Sequence, residues 1–228
     1  MEKTPVTDLF NEVSDVINQM KSSGAIPPVR VKSCLEHLRS SLEYLANDIY
    51  KLLGNGTTDN IYFPYGKPAF IQKYLSRLNA NPETIHKLSE LITSIQPYHS
   101  GDEWLTMMCN LTNDAKHRHP IPLDQEDVIT SRDISVVGLN LIQIAGENSG
   151  RVEFKNNKLN GMPIQDFIYD NEVMTTSGTG IPVNLRLTKE EKIKFHGHDY
   201  EVIPFLEKCL NELKSFTDRG YNYIRDLT

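Results

Sequence analysis

The densest cluster of chemically useful side chains is Asn113-Asp114-Ala115-Lys116-His117-Arg118-His119. It closes an apolar helical pattern, where cations meet the negative end of the helix dipole and need no further function. The spacing also allows chemistry. Asn110, Asn113 or Asp114, and His117 recur three to four residues apart and share one helix face beside the apolar one. Upstream, His37, Ser41, Tyr44 and Asp48 make a matching stripe. Packed edge to edge, the two stripes would place His37 and His117 in a cleft with Asp48, Asp114 and Arg118. Those are the general-base, anion-binding and orienting groups of phosphodiester cleavage. The plain alternative is a pair of solvated boundaries beside two core faces.

Other chemistries find less support. His196 and His198 would face one side of a strand and could share a zinc ion, but Gly197 and Asp199 suit a tight turn equally well. His117 and His119 form a second such pair, and neither has a third ligand at a diagnostic spacing. No metal and no cofactor is assigned. Glycine-rich phosphate loops and a Gly-x-Ser-x-Gly elbow are absent from the sequence. Tyr62, Phe63, Tyr65 and Tyr98 could stack on bases or a partner peptide, or fold back as a lid.

The elements that must position these residues are helical up to about residue 120. Val6, Leu9, Phe10, Val13, Val16, Ile17 and Met20 recur at helical spacing until Gly24, with Thr4-Pro5 as the start. A second helix is predicted over 30–53, stopped by Gly54-Asn55-Gly56. Three shorter helices follow over 68–78, 82–95 (capped by Asn81) and 102–117. From 121 to 200 the texture is that of a small antiparallel sheet. The apolar stretch 134–145, the Asn160-Gly161 hairpin signal, and two strands at 183–187 and 193–195 carry it. Residues 175–180 read as a mobile loop. A closing helix over 204–219 packs on the sheet or returns to the bundle. The fold class is α+β: residues 1–120 a bundle of about five helices, residues 121–228 the β region with its C-terminal helix, possibly continuous with the bundle.

Composition sets the outer limits. The 228 residues carry a net charge of -6, with 39% hydrophobic and 24% charged side chains, which is the balance of a folded globular chain. An acidic total argues against a protein that coats nucleic acid, though not against a local basic site. The charge is uneven: residues 1–120 carry net -1 and the remainder net -5, so the helical half is the better host for an anion. No apolar run has membrane-spanning length, so no membrane partner is expected. Three scattered cysteines without a signal-like start suggest a reducing, cytoplasmic location.

Leu38-Arg39 with Leu42 and Leu45, Phe63-Pro64, Gln96-Pro97-Tyr98, Trp104-Leu105, Leu111, Asn113 and Lys116-His117-Arg118 resemble a broad set of bacterial proteins. That set shares an LRxxLDxL helix and a terminal DKHR element, and the resemblance covers about residues 30–120. Glu43 stands where the acid is usually Asp, and Ala115 stands where Asp precedes the lysine. More distantly, the helical half is similar to HEPN-type bundles of bacterial toxin and antiphage systems, many of them metal-independent ribonucleases. Their Arg-to-His signature occurs once, from Arg30 to His37.

These resemblances imply a HEPN-like protein acting on nucleic acid, a metal-independent ribonuclease in a stress or phage-defence setting. His117, Asp114 and His37 would be catalytic, with Lys116, Arg118 and Arg39 on phosphate. RNA, a homodimer partner meeting through the bundle, and a protein from the same defence or toxin system are the implied partners. A non-catalytic module that dimerises or docks a protein through its helices is the other class.

Overall fold

The computed structural model describes residues 5–54, 61–117, 121–146 and 150–227, with His117 described by its backbone alone. The chain divides into two compact units, residues 1–124 with 194–228, and residues 125–193. The fold is mixed, with helices in the first unit and small antiparallel sheets in the second.

Helices α1 (Pro5–Ser23) and α2 (Pro28–Leu53) each begin on a proline, whose fixed φ suits a first turn. α2 is the centre of the unit, packing against α1, α6 and α7, and it buries Val31, Cys34, Leu35, Leu38, Leu42, Leu45 and Ile49. α3 (Pro68–Leu75) and α4 (Pro82–Thr93) follow, the latter capped by the Asn81 side chain accepting from the Thr84 N–H at 2.8 Å. α6 (Trp104–His117) starts where Asp102 accepts the Trp104 N–H at 3.1 Å and binds Lys208 of the last helix.

The unit departs from expectation in two places. Residues 97–100 form an additional single turn, α5 (Pro97–Ser100), between Gln96 and the left-handed Gly101, so among the described residues six helices rather than about five precede the strands. The closing helix α7 spans Val202–Asp226 and runs past Gly220 instead of stopping at it. The reason is a close approach: a Cβ at Gly220 would lie 2.7 Å from Leu45 Cδ2. Glycine lets α7 and α2 touch rather than ending a helix. Of the two positions left open for this helix, it takes the bundle.

The second unit holds the sheets β2-β1-β8 and β3-β6-β7 and the small ladder β4-β5. Its strands are β1 (Leu123–Val136), β2 (Leu139–Ala145), β3 (Val152–Phe154), β4 (Lys158–Leu159), β5 (Met162–Pro163), β6 (Asp166–Asp170), β7 (Val173–Ser177) and β8 (Val183–Phe195). Ile134, Val136, Phe167, Tyr169 and Val183 form the core, with Phe154 stacked on Phe167 at 5.2 Å. Asn160-Gly161, both at positive φ, turns β4 into β5.

The apolar stretch 134–145 supplies two strands, split by a turn at Val137 (φ 49) and Gly138 (φ 76), because Gly138 accepts the left-handed backbone that a tight hairpin needs. Two readings of this region are corrected. β8 runs unbroken through the charged residues 189–191, which are solvent-exposed on the strand and so cost it no burial. Thr175, Thr176 and Ser177 lie in β7, paired with Ile168, Phe167 and Asp166, rather than in a loop.

Arg132 organises this unit's interior. Its side chain is about 1% exposed, donating to Tyr169 Oη (3.0 Å), to Ile129 O (3.2 Å), to Gly146 O and to Glu172 (3.2 Å). Replacing Arg132 with Met keeps length and removes the donors to Tyr169 Oη, Ile129 O, Gly146 O and Glu172. The expected loss is about 2–4 kcal/mol of stability, read by urea unfolding.

The Asp102 carboxyl is held below the usual carboxylate range, first by the Lys208 hydrogen bond and then by the Trp104 N–H. A depressed folded pKa contributes stability above the unfolded pKa of about 3.9, lost as pH falls through the lower folded value. Both side chains are about a third exposed, so screening limits the effect. Asp102→Ala is expected to cost about 1 kcal/mol at neutral pH, through cap and pair together. That difference should vanish in thermal melts taken well below pH 3.

Candidate functional site

The polar centre of the helical unit begins with Arg39 and Glu43, one turn apart on α2. Arg39 is nearly buried, and its Nη2 meets Glu43 Oε1 at 2.6 Å while Nη1 donates to Cys109 Sγ on α6. Its guanidinium carbon lies 4.6 Å from the centre of the Tyr65 ring. The other Glu43 oxygen accepts the Phe63 N–H at 2.6 Å. Asn47, one turn further along α2, donates to Ile61 O at 3.1 Å. Three successive turns of α2 therefore hold the segment 61–66.

The far end of that segment is fixed by Gln96, which is fully buried. Its Oε1 accepts the Gly66 N–H at 2.9 Å and its Nε2 donates to Pro64 O at 3.2 Å. Phe63 is buried edge-on against Phe216 of α7, with ring centres 5.5 Å apart. Asn113 of α6 donates to Tyr65 Oη at 3.1 Å. Of the loop aromatics, Phe63 folds back as a lid, Tyr65 is half-buried, and Tyr62 and Tyr98 stay exposed.

Burial, the largest influence, holds the Glu43 carboxyl above its ordinary range against the opposing pull of Arg39 and the Phe63 N–H. The Cys109 thiol is pushed up to about 11 by burial. It is thus a neutral partner for Arg39 and a poor nucleophile at neutral pH.

Beside this centre lies an open groove of about 560 Å³. One wall is the segment 62–65; the other is α3 and the turn after it, which present Phe70, Lys73, Tyr74 and Arg77. That spacing puts all four on one helix face. Tyr74 is buried and donates to Ala46 O at 2.8 Å, whereas Phe70, Lys73 and Arg77 are exposed. Arg39 and Asn113 complete the lining, which among the described residues contains three cations and no carboxylate.

The predicted site residues are distributed unevenly around this groove. Arg39 and Asn113 line it, and the charge of the exposed Lys116 acts on Glu43. Asp114 is exposed on α6. On α2 Arg39 meets Cys109 of α6, and His37 is not among the residues that line the groove. Asp48 accepts from Tyr221 of α7 at 3.1 Å and lines a separate depression with Tyr44 and Pro5. Arg118 and His119 lie outside the described residues, as does the His117 side chain, so the proposed His37–His117 cleft is not among the contacts described.

His196 and His198 sit in the turn after β8, where His196 Nδ1 lies 2.9 Å from Asp124. Among the described residues no three His, Cys, Asp or Glu side chains gather to hold a metal, and no helix is long and apolar enough to cross a membrane.

Sequence reasoning did not select Glu43, Gln96, Phe70, Lys73 or Arg77 as site residues. The first two had a signal, since both belong to the motif positions at 38–45 and 96–98. The others fall at i, i+3 and i+7 on a short helix, a pattern indistinguishable by spacing from a solvated face. No protein-family model, curated protein or solved structure matches the chain.

Glu43→Ala removes both the partner of Arg39 and the acceptor of the Phe63 N–H. A cost of about 2–4 kcal/mol is expected, with faster amide exchange at Phe63. Glu43→Gln keeps an acceptor oxygen and should lose less on both counts.

Proposed function

We propose that this protein acts on single-stranded RNA, bound in the groove between the segment 62–65 and α3. The observation that carries the reading is the groove's composition. In a chain of net charge -6, its lining among the described residues gathers three cations, five aromatic rings and no carboxylate. Cations attract a phosphodiester backbone, and aromatic faces stack on unpaired bases regardless of sequence. The more distant similarity of the helical half to HEPN-type bundles, many of them ribonucleases, points the same way.

Ribonuclease activity is the finer form of this reading. It assigns proton transfer to His117, one helical turn beyond Asn113 of the groove. Lys116 at the same helix end and Arg118, next to His117 in sequence, then supply positive charge, and assembly as a homodimer through the bundle belongs to this form.

Fluorescence anisotropy with a labelled single-stranded RNA tests the binding. Affinity is expected to fall steeply as salt rises, and absence of binding at low salt would sink the proposal. Cleavage of the same RNA is expected to drop by about 10²–10⁴-fold in His117→Ala with melting unchanged. Binding without cleavage by the wild-type chain would leave an RNA-binding protein and remove the catalytic role.

A further inference from the structure

We propose that Lys73 and Arg77 are the phosphate-binding pair of the groove, with Tyr62 and Phe70 as the faces on which unpaired bases stack. This rests on the RNA-binding reading above and assigns its contacts to residues outside the expected site.

The cation that sequence reasoning placed on phosphate, Arg39, has its guanidinium already engaged. Glu43, Cys109 and the Tyr65 ring occupy it, and it is nearly buried. A cation neutralised by a carboxylate at 2.6 Å adds little attraction for a second anion. Lys73 and Arg77 differ on each point. Both are exposed, both line the groove, and neither has an ion-pair partner among the described residues.

Their common direction has a structural cause. Ser76 N–H donates to Gln72 O (2.9 Å), Arg77 N–H to Tyr74 O (3.1 Å) and Leu78 N–H to Leu75 O (3.0 Å), so the helical rotation of α3 continues through the turn. The wall is anchored from behind by Tyr74 on Ala46 O and by the bridge of Leu78 to Gly54. The pair is thus held in place without using either charge.

The exposed rings complete the site. Tyr62 is 65% exposed and Phe70 52% exposed, on opposite walls, although the neighbouring Phe63 and Tyr74 are buried. Rings left in water beside paired cations suit a flexible strand whose bases are free to stack. A duplex has its base faces already covered, so the groove selects single strands.

The test measures anisotropy of a labelled oligouridylate of about a dozen nucleotides across roughly 50–200 mM salt, with the matching duplex as competitor. Each of Lys73→Gln and Arg77→Gln is expected to lower the slope of log affinity against log salt by about 0.7, the value of one phosphate contact on a single strand. Tyr62→Ala and Phe70→Ala are expected to weaken binding by about 5- to 150-fold with the slope unchanged. All four groove positions are exposed, so these variants fold, and a melt of each confirms it.

Wild-type binding with an undiminished slope in both glutamine variants overturns this assignment and leaves the RNA-binding reading standing. Absence of wild-type binding overturns both. An oligoglutamate of equal charge that displaces the RNA at equal concentration would make the groove a general anion site and overturn the stacking assignment.

Discussion

The helical unit depends on the cost of burying the charge of Arg39. A guanidinium withdrawn from water is tolerated only when its charge is paired and its N–H groups are satisfied. Glu43 meets that demand, and because the carboxylate has a second oxygen it also binds the Phe63 N–H. One side chain thereby ties a buried charge to the backbone of a connecting segment. Gln96 repeats the device with an amide at the other end of that segment. The wall of the groove is therefore as rigid as the helices that hold it, and Tyr65 is fixed against Arg39 as a consequence.

The second unit solves a related problem differently. Arg132 is more deeply buried than Arg39, yet two of its four recorded acceptors are backbone carbonyls and a third is a tyrosine hydroxyl. Such a hub fixes the ends of strands and tight turns, including the Asn171-Glu172 turn that carries its carboxylate partner. Its donors are consumed by the protein itself. Arg39 instead stands at the edge of an open groove, and the free cations of that groove come from a different helix.

That separation of roles explains the groove's electrostatics. Groups that shape the wall are neutralised by their neighbours, so they contribute little field outside it. Lys73 and Arg77 line the groove exposed and without an ion-pair partner among the described residues. An acidic protein can in this way present a locally basic surface, because fields between exposed charges are screened within about 10 Å at ordinary salt.

Much of the helical architecture was legible from residues alone. Prolines at first turns, the Asn81 cap and the apolar stripe of α2 act through local geometry, which sequence records directly. The Asn160-Gly161 turn was legible for the same reason. What stayed hidden depended on partners distant in the chain. Gly220 reads as a helix stop until Leu45 is seen against it, since a glycine's two uses differ only in what lies opposite. Val137-Gly138 lacks the usual turn residue at its first position, so an apolar run concealed a hairpin. At the site, sequence singled out Arg39 and Asn113 but not the hydrogen bond of Arg39 to Cys109 of α6, nor its pairing with Glu43. Periodicity places residues on a common stripe, yet only packing chooses which stripe faces a neighbour. Phe70, Lys73 and Arg77 became a wall only because Glu43 and Gln96 hold another segment opposite them.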